Sequence, residues 1–107
     1  MSEENAVIER IKQQLAENPV ILYMKGSPQR PMCGFSARAV DCLVDCGVKF
    51  AYIDILENPE IRQILPQYAK WPTFPQLWIN GELVGGSDII AELKESGELQ
   101  QMLDSIK

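Results

Sequence analysis

Apolar positions along this chain recur at two periods, and the changes between them mark its elements. Residues 6–16 set Val7, Ile8, Ile11 and Leu15 at helical spacing, and Asn18-Pro19 closes that helix. Val20-Ile21-Leu22-Tyr23-Met24 is an uninterrupted apolar run of β-branched and aromatic type, which reads as a buried strand. Lys25 to Met32 carries a glycine and two prolines and reads as a loop. From Gly34 the pattern is helical again, with Phe35, Ala39, Cys42, Leu43 and Cys46 on a common face and Gly47 where a C-terminal cap belongs. Phe50 to Asp54 is a second strand. Asn58-Pro59-Glu60 then supplies an N-cap, a first-turn proline and a first-turn acid to a helix carrying Ile61, Ile64 and Leu65. Two prolines keep Trp71-Pro72-Thr73-Phe74-Pro75 out of regular structure. Gln76 to Ile79 and Glu82 to Val84 flank Asn80-Gly81, a strong hairpin signal. A last helical region follows Gly85-Gly86-Ser87-Asp88, with Ile89, Ile90 and Leu93; Gly97 breaks it before Leu99, Met102, Leu103 and Ile106.

The predicted order is helix, strand, helix, strand, helix, hairpin, helix. Two strands joined through a helix should be parallel with a right-handed crossover, and the hairpin must be antiparallel. The expectation is an α/β fold: a four-stranded mixed sheet with helices on both faces, which resembles the thioredoxin-like architecture. With 107 residues and no repeat or linker-like run, residues 1–107 read as one domain.

Composition narrows the chemistry. The net charge of -5 argues against nucleic acid as a partner, since phosphate binding needs a basic face. The chain has no histidine, which excludes Ser-His-Asp and Cys-His nucleophile pairs and Cys2His2 zinc sites. No segment approaches the ~18–20 apolar residues that span a bilayer, so no membrane role is expected. The acidic start Met1-Ser2-Glu3-Glu4 resembles neither a signal nor a transit peptide. Three cysteines are too few for a disulfide scaffold, and a reducing cytoplasm is the expected location.

Cys33 follows a strand and loop and stands at the first turn of a helix. There unpaired N–H groups and the helix dipole favour the thiolate, and Lys25 could add positive charge. A thiol of lowered pKa is both a nucleophile and a metal ligand; the plain alternative is a small apolar loop residue. A dithiol enzyme would carry a second cysteine three residues on. Position 36 is instead Ser36, which can neither resolve a mixed disulfide nor serve as a soft metal ligand, so disulfide chemistry at Cys33 needs an outside thiol. Cys42 lies ~13–14 Å farther along the helix, beyond shared reach. Cys42 and Cys46 read as buried small hydrophobes.

Four segments, in order, carry a resemblance. Cys33-Gly34-Phe35-Ser36, the preceding Lys25-Gly26-Ser27-Pro28, Trp71-Pro72-Thr73-Phe74-Pro75-Gln76 and Gly85-Gly86-Ser87-Asp88 together resemble the monothiol glutaredoxins of the Cys-Gly-Phe-Ser class, over roughly residues 6–103. The resemblance implies a glutathione groove beside Cys33, the catalytic and cluster-ligating cysteine. It implies Lys25 and Arg62 as cations for the glycine carboxylate of glutathione, with Gln29 or Gln63 assisting. The backbone of Phe74, ahead of a cis-proline at Pro75, would pair with the tripeptide as a strand does. Backbone N–H groups of Ser87 and Asp88 would take the γ-glutamyl carboxylate, and the Asp88 side chain its ammonium. Taken singly, Lys25 and Arg62 could be surface charges, Asp88 an N-cap and Trp71 a packed aromatic.

A [2Fe–2S] cluster takes four ligands, usually thiolates. Two chains with one competent cysteine each supply two of them. The resemblance implies a cluster that bridges a homodimer and is completed by two glutathione thiolates. The leading expectation is therefore a cytoplasmic iron–sulfur cluster carrier or scaffold that serves apo iron–sulfur acceptors; a BolA-like partner is a family-level expectation. The alternative is a glutathione-dependent monothiol oxidoreductase that removes glutathione from proteins, at most a weak one, because the lengthened loop and the Trp-Pro insertion accompany cluster binding in the resembled family. A non-catalytic interaction module is a third reading, which unchanged function in Cys33→Ser would favour. Ser87 stands where some relatives have a second cysteine, and the end at Lys107 suits a single-domain form.

Overall fold

The computed structural model describes residues 2–106. Its first helix, α1 (Glu3–Glu17), is capped by Ser2, whose hydroxyl accepts from the Asn5 N–H at 3.1 Å. Strand β1 (Val20–Met24) follows, buried throughout. Next comes a pair of two-residue strands, β2 (Gly26–Ser27) and β3 (Arg30–Pro31), inside the segment expected to be a plain loop. Helix α2 (Gly34–Asp45) leads to β4 (Ala51–Asp54), then α3 (Pro59–Ala69). The hairpin β5 (Gln76–Ile79) and β6 (Glu82–Gly85) turns through Asn80 (φ 52°) and Gly81 (φ 78°), two left-handed residues that match the twist of paired strands. Helices α4 (Ser87–Ser96) and α5 (Glu98–Asp104) end the chain, broken at Gly97 as expected.

The main sheet has the order β4-β1-β5-β6, with β1 parallel to β4 and antiparallel to β5. This is the four-stranded mixed sheet expected, with helices on both faces. β1 is buried on both sides, and its alternate residues build separate cores. Val20, Leu22 and Met24 join Ala39, Leu43, Ile90, Leu99 and Leu103 from α2, α4 and α5. Ile21 and Tyr23 join Val7, Ile11, Ile61 and Leu65 from α1 and α3 on the other face. Among the described residues no helix is long and apolar enough to cross a membrane.

Two local expectations are corrected. Phe35 does not share the core face of α2; it is 61% exposed, and the buried face of the first turn is taken by Ser36 instead. Asn58 occupies the N-cap of α3, but its side chain makes no cap bond. Its Nδ2 donates to the Asp54 carbonyl oxygen at 2.9 Å, so it ties the helix start to the end of β4.

Candidate functional site

The segment between β1 and α2 is held by a short set of bonds centred on Lys25. The Lys25 N–H donates to Ser36 Oγ at 3.1 Å, and the Lys25 carbonyl accepts from the Met32 N–H at 2.8 Å. One residue on, the Gly26 N–H donates to Asp54 Oδ1 at 2.9 Å, an oxygen that also takes the Leu56 N–H. Gly26 has φ 90°, and a Cβ there would press on the Arg30 carbonyl and the Met32 nitrogen, so only glycine fits this crossing. The β2–β3 hairpin is thereby anchored to the neighbouring strand and to the helix it feeds.

Cys33 is the N-cap of α2, in extended conformation (φ -157°, ψ 140°), and half-buried. The Ser36 N–H lowers its thiol pKa below the ordinary range. Partial burial opposes that, while the Phe35 N–H, the Lys25 ammonium and the Ser36 hydroxyl reinforce it. The thiol makes no complete cap hydrogen bond, so these dipoles and charges act chiefly on the thiolate. Cys42 and Cys46 lie toward the other end of α2, the first buried and the second half-buried, and burial pushes both thiols up.

A cleft of ≈ 540 Å³ opens beside this helix start. It brings together Lys25, Arg62, Phe74, Ser87 and Asp88, all five of the binding residues expected from the sequence. Cys33 is not itself in the lining; Phe35, two residues on, is. Gln29 and Gln63 are exposed and outside it. Each lining residue has an evident support. Lys25 leaves the end of β1, Arg62 projects from the first half of α3, and Ser87 and Asp88 form the first turn of α4, whose leading N–H groups have no intrahelical partner. Phe74 precedes Pro75 through a cis peptide bond. The loop carrying it is held from below by Gln76, fully buried, whose Nε2 donates to the Trp71 and Thr73 carbonyls at 3.0 and 3.2 Å. Gln76 Oε1 accepts from Trp78 Nε1 at 3.2 Å, which completes the amide.

The electrostatics divide the cleft. Among the described residues, neither Lys25 nor Arg62 is in an ion pair, so both remain available to an anion. Asp88 is engaged with Arg38 Nη1 at 3.2 Å, a partner fifty residues away that sequence spacing gave no means of finding. Two buried polar atoms of lining residues, Trp71 Nε1 and Ser87 Oγ, have no hydrogen-bond partner among the described residues. Buried donors are seldom left unmatched, and these suit a polar guest. Among the described residues no group of three or more His, Cys, Asp or Glu side chains could hold a metal ion.

Known proteins resemble this chain in sequence and in fold. A family model described as Glutaredoxin matches residues 20–84. The chain is 63% identical over 99 residues to glutaredoxin 4 of Escherichia coli (strain K12), covering 92% of this chain and 86% of that one. The solution structure of reduced poplar apo GrxS14 superimposes with a TM-score of 0.80 at 42% identity, over 92% of this chain and 90% of that one. A buckwheat glutaredoxin solved as a glutathione complex shares the fold, with a TM-score of 0.84 at 23% identity over 97% and 94% of the two chains.

Proposed function

The chain belongs to the glutaredoxin family, and from that premise we propose that it is a monothiol glutaredoxin that binds glutathione and carries [2Fe–2S] clusters between proteins of a reducing cytoplasm. Glutathione has two carboxylates and one ammonium. The cleft offers two cations, Lys25 and Arg62, that are in no ion pair among the described residues, for one carboxylate and the N-terminus of α4 at Ser87 and Asp88 for the other. Asp88 has the charge for the ammonium, and the chain around Phe74 can pair with the peptide backbone. The buckwheat relative, solved with glutathione bound, supports the choice of ligand.

The observation that carries the cluster reading is the solitary state of Cys33. It is the one thiol of lowered pKa, Cys42 and Cys46 are held in the core side of the helix with raised values, and among the described residues no group of other protein ligands gathers around it. Such a site fits a cluster only if most ligands come from outside. Two copies of Cys33 and two glutathione thiolates complete the set of four. Ligands that are not part of the chain can depart when the cluster is handed on, which suits a carrier. The exposed Met32 (57%) and Phe35 (61%) beside Cys33 offer apolar surface for the second copy, or for a BolA-like protein or an apo acceptor in its place.

The lowered thiol pKa also favours a second reading, glutathione-dependent reduction. The Cys33 thiolate would attack the glutathione sulfur of a protein–glutathione disulfide, releasing the protein thiolate and forming Cys33–S–S–glutathione. A second glutathione thiolate would then attack the glutathione sulfur, which frees Cys33 and leaves oxidised glutathione. Anaerobic reconstitution with iron, sulfide and glutathione separates the two. A coloured dimer with two irons and two glutathiones, absent in Cys33→Ser, supports the carrier. A colourless monomer, under conditions that load a control protein, refutes it and makes disulfide reduction the next assay.

A further inference from the structure

Arg38 lies outside the lining of the cleft, yet it holds a residue that is part of it. It stands in the second turn of α2, and its Nη1 donates to Oδ1 of Asp88, in the first turn of α4, at 3.2 Å. Among the described residues this is the one hydrogen bond made by either side chain, which leaves Asp88 Oδ2 without a partner. The pair does little for the fold. Its side chains are 54% and 84% exposed, and exposed pairs of this kind contribute little to stability. Asp88 does not serve as a helix cap either, since the N-cap of α4 is Gly86, with no side-chain bond. What the contact does change is the charge that the first turn of α4 presents to a ligand, because the carboxylate there is already matched by a guanidinium.

A ligand that ends in both an ammonium and a carboxylate, as the γ-glutamyl end of glutathione does, can match the Asp88 carboxylate with its own ammonium. A ligand with the carboxylate alone cannot, and without Arg38 it would bring one carboxylate up to another. We propose that Arg38 is a positioning residue that sets the specificity of this end of the cleft: by holding Asp88 it stands in for the ligand's ammonium, so the cleft also accepts thiol peptides whose acyl end is a plain dicarboxylic acid. The proposal rests on the reading of the cleft as a glutathione site and adds a second class of ligand to it. Charge alone is enough for the effect. Arg38 is within a Debye length, about 10 Å at 0.1 M salt, of any group that touches Asp88. It therefore repels a ligand ammonium there and attracts a ligand carboxylate seated at the start of α4.

Glutathione and glutaryl-cysteinylglycine form the test pair. The second keeps the thiol and both terminal carboxylates and lacks only the amino group. Each is titrated into the reduced full chain, and Kd is read from the amide resonances of Ser87 and Asp88. Any loss of attraction for the shared carboxylates cancels in the ratio of the two Kd values, so the ratio reports on the ammonium. In Arg38→Gln the preference for glutathione over the deaminated peptide is expected to rise about threefold over wild type, the size of one exposed charge pair. Arg38→Met carries the same expectation and decides the matter if the glutamine variant does not fold. Arg38→Lys, which keeps the charge, should stay within about 1.5-fold of the wild-type ratio. A merely structural pair would lower stability in urea and leave the ratio in place. An unchanged or lowered ratio on loss of the Arg38 charge overturns the proposal and leaves the glutathione reading standing. No response to either peptide in the wild-type chain overturns both.

Discussion

Replacing Gln76 by leucine removes one side-chain amide from a strand and should loosen the wall of the cleft. The Gln76 side chain is fully buried, close in volume to leucine, and makes three hydrogen bonds: two from Nε2 to the Trp71 and Thr73 carbonyls, and one accepted from Trp78 Nε1. Leucine would leave the Trp78 N–H without a partner inside the protein, where the indole is 6% exposed, at a cost of about 1–3 kcal/mol. The two carbonyls lie in a partly exposed loop and can take water, so their loss adds about 1 kcal/mol. Leucine regains some transfer free energy, and the net expectation is a loss of about 2–3 kcal/mol. For a domain of this length that is a fall in Tm of roughly 10 °C.

Urea unfolding followed by tryptophan fluorescence measures the loss. Isothermal titration with glutathione measures its effect on the cleft, where weaker binding is expected because the Trp71–Pro75 loop is no longer held. Gln76→Glu supplies a control with a sign. A carboxylate there faces two carbonyl oxygens in a buried site, so its folded pKa is raised. Its contribution is therefore intact below the unfolded value of about 4.3 and is lost as pH rises through the folded one. This variant should approach wild-type stability near pH 4 and fall below Gln76→Leu at pH 7. A Gln76→Leu protein within about 0.5 kcal/mol of wild type, or a Gln76→Glu protein that gains stability relative to wild type from pH 5 to 8, would show that the amide network does not hold the loop.

Two further outcomes are expected. Gly26→Ala must adopt φ near 90° and bring its methyl onto the Arg30 carbonyl and the Met32 nitrogen, so a loss of about 1–3 kcal/mol is expected together with slower Cys33 alkylation; a neutral result in urea unfolding would mean that the hairpin yields freely. On the alkaline side, burial raises the thiols of Cys42 and Cys46 and the phenol of Tyr23, so their stability contribution is complete below the unfolded values, about 8.5 and 10, and is lost as pH rises through the folded ones. Cys33 runs the other way, its contribution present above about pH 8.5 and lost as pH falls through its lowered value. Cys33→Ser should therefore lose stability more steeply than wild type between pH 8 and 10 in urea titrations, and a rise over that range would contradict the assigned directions.

How much of this was legible before the structure depended on whether the determinant was local. The apolar run at Val20–Met24 and the Asn80-Gly81 turn are local signals, and both elements stand where they were expected. The stripe that placed Phe35 with Ala39 and Leu43 reports which side of a helix is apolar, but not which first-turn residue is buried: Ser36 takes that place and Phe35 is exposed. The β2–β3 pair was missed because a two-residue strand has no pattern to read; it is set by bonds from Lys25, Gly26 and Asp54 that join distant stretches. The Arg38–Asp88 pair and the Gln76 network are equally non-local. The five cleft residues named from the sequence came from the family resemblance, because no spacing within one segment relates Arg62 to Ser87.

The three cysteines show why position outweighs residue type in this chain. Cys33 and Cys46 cap opposite ends of one helix. At the N-terminal end the free N–H groups and the dipole favour a negative sulfur, and the Lys25 ammonium adds to them. At the other end burial disfavours the thiolate, and Asp45 and Asp104 oppose it further against the single ammonium of Lys94. Cys42, one turn earlier, is buried among Leu43, Leu99 and their neighbours, where a thiolate would have to leave water. One helix thus sets one thiol of lowered pKa apart from two of raised pKa by position alone. A chain that meets a cluster or a mixed disulfide needs this separation, because a second accessible thiolate would compete as ligand or as attacking group. Ser36 belongs to the same arrangement: three residues from Cys33 the chain carries a hydroxyl in place of a second thiol, and that hydroxyl adds to what lowers the Cys33 thiol.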